Sequence, residues 1–265
     1  MNPYSLSVLP GIFWLGLITS GGLQGQTAAG PQILFADDFT GQSGAPTHWW
    51  FGNNVSFQGA ADSEDTFAVV NNGTSDVLRF LDVAPVTSPS VPMFHTAEAV
   101  DFAATGHFVL RLDMDLKVNN NTPDYRVGLY NALYPQVACS SKAFQLRIFP
   151  GAETNNVSLL TFSDSGVVDN IVGTAPLSAL RGAHRFTLEL DFSTNGIRPT
   201  VRAYSDGVLI AKIVASPTGG FRRAGAEGKD VRIMAQSTSP GYKGTGTSFE
   251  LDNVKLTALS APLKD

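Results

Sequence analysis

The sequence has a single cysteine and no run of basic residues. The first scarcity excludes an intrachain disulfide, and the second excludes a surface for nucleic acid. There is one cysteine, Cys139, so no intrachain disulfide can form. Lys and Arg number 18 against 23 Asp and Glu, the formal net charge is −5, and no window concentrates basic residues. Because a nucleic-acid surface needs a basic stripe to neutralise phosphates, we expect no nucleic-acid partner.

Several signatures of catalysis are missing as well. The four histidines are isolated and lack the spacing of metal ligands. No G-x-S-x-G nucleophile elbow and no glycine-rich phosphate loop occurs. The sequence therefore offers no nucleophile for a hydrolase of the elbow type.

The N-terminus has the character of an export signal. Residues 8–18 form an uncharged apolar run, and small or turn-forming residues follow at 19–25, although no Lys or Arg precedes the run. The run is too short to span a bilayer comfortably. We expect a signal peptide at 1–25, then a single domain at 26–265 without a membrane span. The shortage of cysteine favours a bacterial protein, secreted or in the cell envelope.

The rest of the chain alternates apolar and polar residues with period two. The alternation is clearest over 108–118, 144–148 and 186–192, and it predicts half-buried antiparallel strands. Asp206-Gly207, between two further apolar segments, is a strong hairpin signal. A dozen or so strands with frequent turns predict an all-β sandwich of two antiparallel sheets, in one domain from about residue 31 to residue 259.

Four short segments resemble a known family. They are the opening 34–39 with Trp49 and Trp50, the strand-like 125–131, the stretch from His184 through Asp206-Gly207, and the closing 249–256. Together they resemble the concanavalin A-like (laminin G-like) jelly rolls of secreted bacterial proteins. The resemblance implies a jelly-roll sandwich whose first and last strands are neighbours, and it supports a fold without an activity.

The closing strand suggests a metal site. Its apolar positions slip out of phase at Asp252, and a β-bulge at 252–253 would repair the slip. Asp252 beside Asp37 and Asp38 could supply the oxygen ligands that Ca²⁺ prefers, and jelly-roll families often hold a structural calcium where the terminal strands meet. The alternative is that these acids cap turns and protect a sheet edge.

Asp113 and Asp115 are the best candidates for catalytic carboxylates. Period two places them on one face about 6.5–7 Å apart, a spacing that suits paired acids in glycoside hydrolysis. The segment resembles the E-x-D-x-E strand of laminarinase-type jelly-roll glucanases, but Lys117 stands where the second Glu is expected. The alternative is a polar strand face on which the sign of the charge alternates.

A binding face is the broader hypothesis. If the strands around residues 113, 126 and 145 adjoin in a concave sheet, their polar side chains would line one groove, as in sugar-binding proteins. An aromatic platform would be supplied by the tryptophans. The same Tyr, Arg and Gln residues could serve a lyase that acts on a uronate. The predicted ligand-binding residues are Asp113, Asp115, Arg126, Tyr130, Gln145, Arg147, Trp49 and Trp50.

Because Lys117 replaces the expected acid, we predict a secreted, non-catalytic, lectin-like module that binds a glycan or matrix polymer. The first alternative is a polysaccharide-degrading enzyme, a glycoside hydrolase or a lyase, on the same fold. The second is a structural envelope protein without a ligand.

Overall fold

Two antiparallel sheets form a sandwich around one large core. The computed structural model describes residues 30–53, 66–82, 92–118, 124–131, 142–149, 156–163, 166–173, 183–238 and 247–263. The predicted signal peptide lies outside these residues and stays a prediction.

Fifteen strands occupy the described residues: β1 (Gln32–Asp37), β2 (Trp49–Asn53), β3 (Thr66–Asn71), β4 (Asp76–Asp82), β5 (Pro92–Thr96), β6 (Val109–Val118), β7 (Asp124–Asn131), β8 (Ala143–Phe149), β9 (Asn156–Ser163), β10 (Gly166–Gly173), β11 (Ala183–Asp191), β12 (Thr200–Ser205), β13 (Val208–Val214), β14 (Val231–Thr238) and β15 (Thr247–Leu259). A 3₁₀ turn at Ala103–Thr105 and a short helix α1 (Ala226–Lys229) complete the elements.

The strand order separates the molecule into two layers. Sheet A runs β13-β12-β11-β6-β15-β4-β3, with β1 also paired to β15, and sheet B runs β10-β9-β8-β7-β14-β5-β2. All pairings between these strands are antiparallel. The predicted two-sheet jelly roll is confirmed.

Period-two alternation explains how the layers pack. On β6 the side chains of Leu110, Leu112, Met114 and Leu116 are at most 2% exposed and join the core, while the intervening residues point to the outer face. Each such burial is worth roughly 1.5–3 kcal/mol. The same alternation on every central strand gives each sheet an inner apolar face and an outer face of more mixed character.

The predicted hairpin and the predicted bulge are both present. Asp206 and Gly207 have φ angles of 49° and 80°, as a tight turn between β12 and β13 requires. The register of β15 against β6 jumps between Asp252 and Lys255, where Asn253 has a φ of 48°. The pairing of β1 with β15 confirms that the first and last strands are neighbours.

One expectation about sheet membership is wrong. β7 and β8 are neighbours in sheet B, but β6 lies in sheet A, so Asp113 and Asp115 cannot share a groove with residues of β7 and β8. The outer faces of the two sheets point away from each other. Alternation shows which residues of one strand share a face, and it carries no information about the sheet that the strand joins.

Candidate functional site

The outer face of sheet A holds the predicted acid pair in salt bridges. Asp113 and Asp115 do share this face. Asp113 is 5% exposed and accepts hydrogen bonds from Arg111 Nη2 at 2.9 Å and Thr187 Oγ1 at 2.6 Å. Asp115 accepts a hydrogen bond from Asn253 Nδ2 at 2.8 Å. Both carboxylates are therefore committed to contacts within the sheet.

Other acids on this face are paired in the same way. Arg79 Nη2 lies 2.6 Å from Glu250 Oε1, and Arg202 Nη1 lies 3.3 Å from Glu189 Oε1. Burial raises the pKa of Glu189, against the opposing effects of the Leu263 backbone N–H and Arg202. The outer face of sheet A is thus a network of cross-strand ion pairs, which favours a role in holding the sheet together.

The acids predicted to bind calcium divide between two environments. Asp37 is buried and accepts hydrogen bonds from Trp49 Nε1 at 3.0 Å, Gln42 Nε2 at 2.8 Å and the Phe39 backbone N–H at 2.9 Å. Asp38 is exposed and accepts a hydrogen bond from the Thr40 backbone N–H. The contacts of Asp37 with the Phe39 N–H and of Asp38 with the Thr40 N–H are turn caps, the alternative given above.

Asp252 lies near the bulge and accepts a hydrogen bond from Ser75 Oγ at 2.9 Å. Burial raises its pKa, and the charges of Asp115 and Asp38 raise it further. Among the described residues, no three or more His, Cys, Asp or Glu side chains are grouped so that they could hold a metal ion. Calcium binding stays a prediction.

The two tryptophans lie on opposite faces of β2. Trp49 is 5% exposed and belongs to the core, so it cannot serve as the aromatic platform that we expected. Trp50 is 53% exposed, and its ring lies 4.8 Å from that of His95 on the neighbouring strand β5.

The outer face of sheet B brings together the four predicted residues of β7 and β8. Arg126 and Arg147 are directly opposite each other in the register, and Tyr130 lies opposite Ala143. Gln145 lies opposite Gly128. These side chains alternate with the core residues of the same strands, so all four project to the outer side.

Gly128 lets β7 and β8 approach closely at the middle of this face. A Cβ atom at this position would overlap the carbonyl oxygen of Phe144 and lie 2.8 Å from Cα of Gln145. Above the glycine, Gln145 Nε2 donates a hydrogen bond to Met234 Sδ at 3.1 Å. The missing side chain therefore allows residues of β8 and β14 to meet across β7.

His95 and Tyr130 are two titratable side chains on this face, and burial shifts the pKa of each. Tyr130 is 2% exposed, and burial raises the pKa of its phenol to about 12, so it stays protonated at neutral pH. Burial lowers the pKa of half-buried His95. His95 Nδ1 donates to the Thr96 carbonyl at 2.9 Å, which leaves the lone pair of the neutral ring on Nε2.

Sequence reasoning did not find His95. Its ring lies 6.0 Å from that of Tyr130 and stands between Tyr130 and Trp50. These neighbours come from β7 and β2, which are distant in the chain, so no local motif marks the histidine.

The charged side chains described on this face are mainly arginines. The guanidinium carbon of Arg126 lies 5.7 Å from the ring centroid of Phe162. Arg232 Nη1 donates to the Thr96 carbonyl at 2.8 Å. Among the side chains that the structure describes on the strands of sheet B, none of those on the outer face is Asp or Glu.

Comparisons with known proteins extend the fold assignment. No protein family matches the sequence, and no curated protein does. Solved structures match well. They include an endo-1,3-beta-glucanase from Streptomyces sioyaensis, with 16% identity and a TM-score of 0.54 over 88% of this chain and 98% of that chain. LamAcat from Zobellia galactanivorans has 13% identity and a TM-score of 0.58, over 85% and 97% of the two chains.

A third match is the catalytic domain of an endo-1,3-beta-glucanase (laminarinase) from Thermotoga petrophila. It has 11% identity and a TM-score of 0.58 over 87% of this chain and 99% of that chain. At this identity the likeness establishes the fold, and this chain is a concanavalin A-like jelly-roll sandwich.

The same matches correct our functional prediction. We predicted a non-catalytic lectin-like module, whereas the structures of this fold that resemble the chain are mostly glucan-degrading enzymes. They favour the alternative, a polysaccharide-degrading enzyme. Lys117, on which the prediction relied, is paired with Glu250 on sheet A and lies away from the outer face of sheet B. In the described part of the chain, no helix has the length and hydropathy to cross a membrane.

Proposed function

We propose that this chain degrades a polysaccharide that lies across the outer face of sheet B. The observation that carries the proposal is the alignment of Trp50, His95, Tyr130, Gln145 and Arg147 on one side of the adjoining strands β2-β5-β14-β7-β8. Aromatic rings and planar hydrogen-bonding groups are the usual means of sugar recognition. A structure of the same fold from Zobellia galactanivorans contains laminaritriose and laminaritetraose, which supports glycan binding by this architecture.

The exposed parts of the face are its two flanks. Trp50 is exposed and His95 is half-buried on one side, and Arg126 and Arg147 are half-buried on the other. Tyr130 and Gln145 between them are buried. The groups of this face that a glycan can contact are therefore Trp50, His95 and the two arginines, while Tyr130 and Gln145 support them from below.

The role of proton acceptor is assigned to His95. A neutral imidazole with its lone pair on Nε2 accepts a proton near neutral pH. The buried phenol of Tyr130 stays protonated and packs edge-on against the His95 ring. The acid pair Asp113 and Asp115 is unsuited to the reaction, because it lies in the other sheet and both carboxylates are engaged.

The test is a depolymerisation assay. The purified protein is incubated with laminarin, a mixed-linkage glucan, polygalacturonate and a sulfated galactan, and new reducing or unsaturated ends are measured. H95Q is expected to lower the rate by on the order of 100-fold or more through loss of the proton acceptor. The matched control is H184Q, since His184 lies in sheet A and pairs with Asp206.

Both variants are checked for an unchanged thermal midpoint. If the wild-type protein cleaves none of the polysaccharides, the proposed function is wrong. If H95Q and H184Q cleave equally well, the function stands and the role of His95 is wrong.

The pH profile gives a further prediction. Because burial lowers the pKa of His95 below 6.5, its neutral form persists as the pH falls through 6.5. We expect the acid limb of kcat/KM to lie below pH 6.5. The same depressed pKa makes the unfolded protein bind the proton first, so the stability that depends on neutral His95 falls as the pH drops below 6.5. An acid limb above pH 6.5 would contradict the assignment.

A further inference from the structure

Arg232 of β14 holds the end of strand β5, immediately after His95. The last register pair between β5 and β14 joins His95 to Met234. Beyond that pair, Arg232 Nη1 donates to two consecutive backbone carbonyls, that of Thr96 at 2.8 Å and that of Ala97. A side chain therefore satisfies carbonyl groups at the point where the pairing of β5 with β14 ends.

The Thr96 carbonyl determines the tautomer of His95. Its oxygen lies 2.9 Å from His95 Nδ1, and because a carbonyl oxygen only accepts hydrogen bonds, Nδ1 carries the proton of the neutral ring. Thr96 is 2% exposed, and its carbonyl accepts from both the imidazole and the guanidinium of Arg232. The arginine thus anchors to β14 the backbone group that orients the His95 ring.

Arg232 also acts on the charge of His95. Among the described residues, the titratable groups that face His95 from the adjoining strands are Arg232 on β14 and Tyr130 on β7, and β2 contributes the uncharged Trp50. Burial lowers the pKa of His95, the hydrogen bond to Thr96 opposes this effect, and the charge of Arg232 lowers the pKa further. A cation beside the imidazole favours its neutral form, which is the form that accepts a proton.

We propose that Arg232 is a positioning residue for His95. By holding the Thr96 carbonyl, it keeps the proton of the neutral ring on Nδ1 and leaves the lone pair on Nε2 for the substrate. This rests on the proposed function, because it concerns the proton acceptor of the same site. The role requires no contact between Arg232 and the glycan.

The first test observes the imidazole directly and needs no substrate. In protein labelled with ¹⁵N at histidine, NMR separates the Nδ1 and Nε2 signals, and those of His95 are identified by their loss in H95Q. In the wild type we expect the proton on Nδ1 and a pKa below 6.5. In R232Q we expect a mixture of the two tautomers and a higher pKa of His95, because the anchor of Thr96 and the nearby cation are both lost.

The second test is kinetic, on whichever of laminarin, a mixed-linkage glucan, polygalacturonate and a sulfated galactan the wild type cleaves fastest. R232Q is expected to lower kcat by roughly tenfold or more, since a misoriented proton acceptor costs rate. KM should change by less than about twofold, because the glycan contacts are retained. As the pKa of His95 rises, its neutral form is lost at a higher pH, so the acid limb of kcat/KM moves upward.

Two further variants serve as controls. R232K retains the charge and N–H donors, and we expect it to keep the low pKa of His95 and to recover most of the kcat lost in R232Q. R198Q removes another arginine that donates to a backbone carbonyl, that of Ala215 at 3.1 Å, and is expected to leave the His95 signals and kcat unchanged. The thermal midpoints of all variants show whether each one is folded.

The outcomes separate this proposal from the proposed function. A wild-type His95 with its proton on Nε2 overturns the role of Arg232 without any variant. An R232Q protein whose His95 signals and titration match those of the wild type overturns it as well. If the signals change as expected but the wild type cleaves none of the polysaccharides, the proposed function is wrong, and the effect of Arg232 on His95 is still observed.

Discussion

At the scale of single residues, neighbours in sequence can have opposite roles. Asp37 and Asp38 are the same residue type, yet the side chain of Asp37 is buried and that of Asp38 is exposed. The carboxylate of Asp37 holds the indole N–H of Trp49, so it links β1 of sheet A to β2 of sheet B. A buried acceptor with several donors is more costly to remove than an exposed one.

We predict that D37A lowers the free energy of unfolding by about 1–3 kcal/mol, because the indole N–H of Trp49 is left buried without its acceptor. The matched control D38A removes one exposed contact to the Thr40 backbone and should change stability by less than about 0.5 kcal/mol. Urea unfolding in the presence of a chelator measures both without a contribution from calcium. Equal losses in the two variants would refute the distinction.

At the scale of elements, strand contacts depend on single positions that the sequence does not mark. Period two correctly predicted β6, β8 and β11, and Asp206-Gly207 correctly predicted the hairpin. The need for glycine at position 128 was not apparent, because it arises from the carbonyl of Phe144 on the next strand. Local patterns describe a strand, and they cannot describe the strand that packs beside it.

We predict that G128A destabilises the protein by about 1–3 kcal/mol, since the added methyl group forces β7 and β8 apart. The same separation displaces Gln145 and should lower any polysaccharide cleavage. G196A is the control, because a Cβ atom at Gly196 has no heavy atom within 4 Å. Chemical denaturation of both variants measures the difference, and equal stability in G128A and G196A would contradict the close approach.

At the scale of the whole molecule, the two outer faces are independent surfaces. Ion pairs cover sheet A, and Arg126, Arg147 and the aromatic residues Trp50 and His95 lie on the outer face of sheet B. The sequence identified Arg126, Tyr130, Gln145 and Arg147 correctly as one face, because alternation fixes them on two adjacent strands. The prediction that Asp113 and Asp115 lie beside these four residues is wrong, because β6 belongs to sheet A. The partners of β6 are β11 and β15, which follow it by many residues, and such pairings are decided by the packing of the entire sandwich.

We predict that D113N/D115N leaves polysaccharide cleavage within about twofold of wild type while lowering the unfolding midpoint, because both acids stabilise sheet A and neither faces the glycan. Distant sites contribute independently, so combining this change with R126Q/R147Q should give additive effects on stability. Abolished cleavage in D113N/D115N, with the fold intact, would move the active site to sheet A.

The last described strand has a consequence for how the molecule is made. β15 lies between β6 and β4 and also pairs with β1, so it joins the two halves of sheet A. Until β15 leaves the ribosome, no strand joins the β13-β12-β11-β6 part of sheet A to the β4-β3 part, and the sheet stays in two pieces. Assembly of this sheet waits until β15 has been synthesised, and its long-range pairings make it slow to form. From the synthesis of β6 until that of β15, the nascent chain presents two incomplete sheet edges, on β4 and on β6, to chaperones.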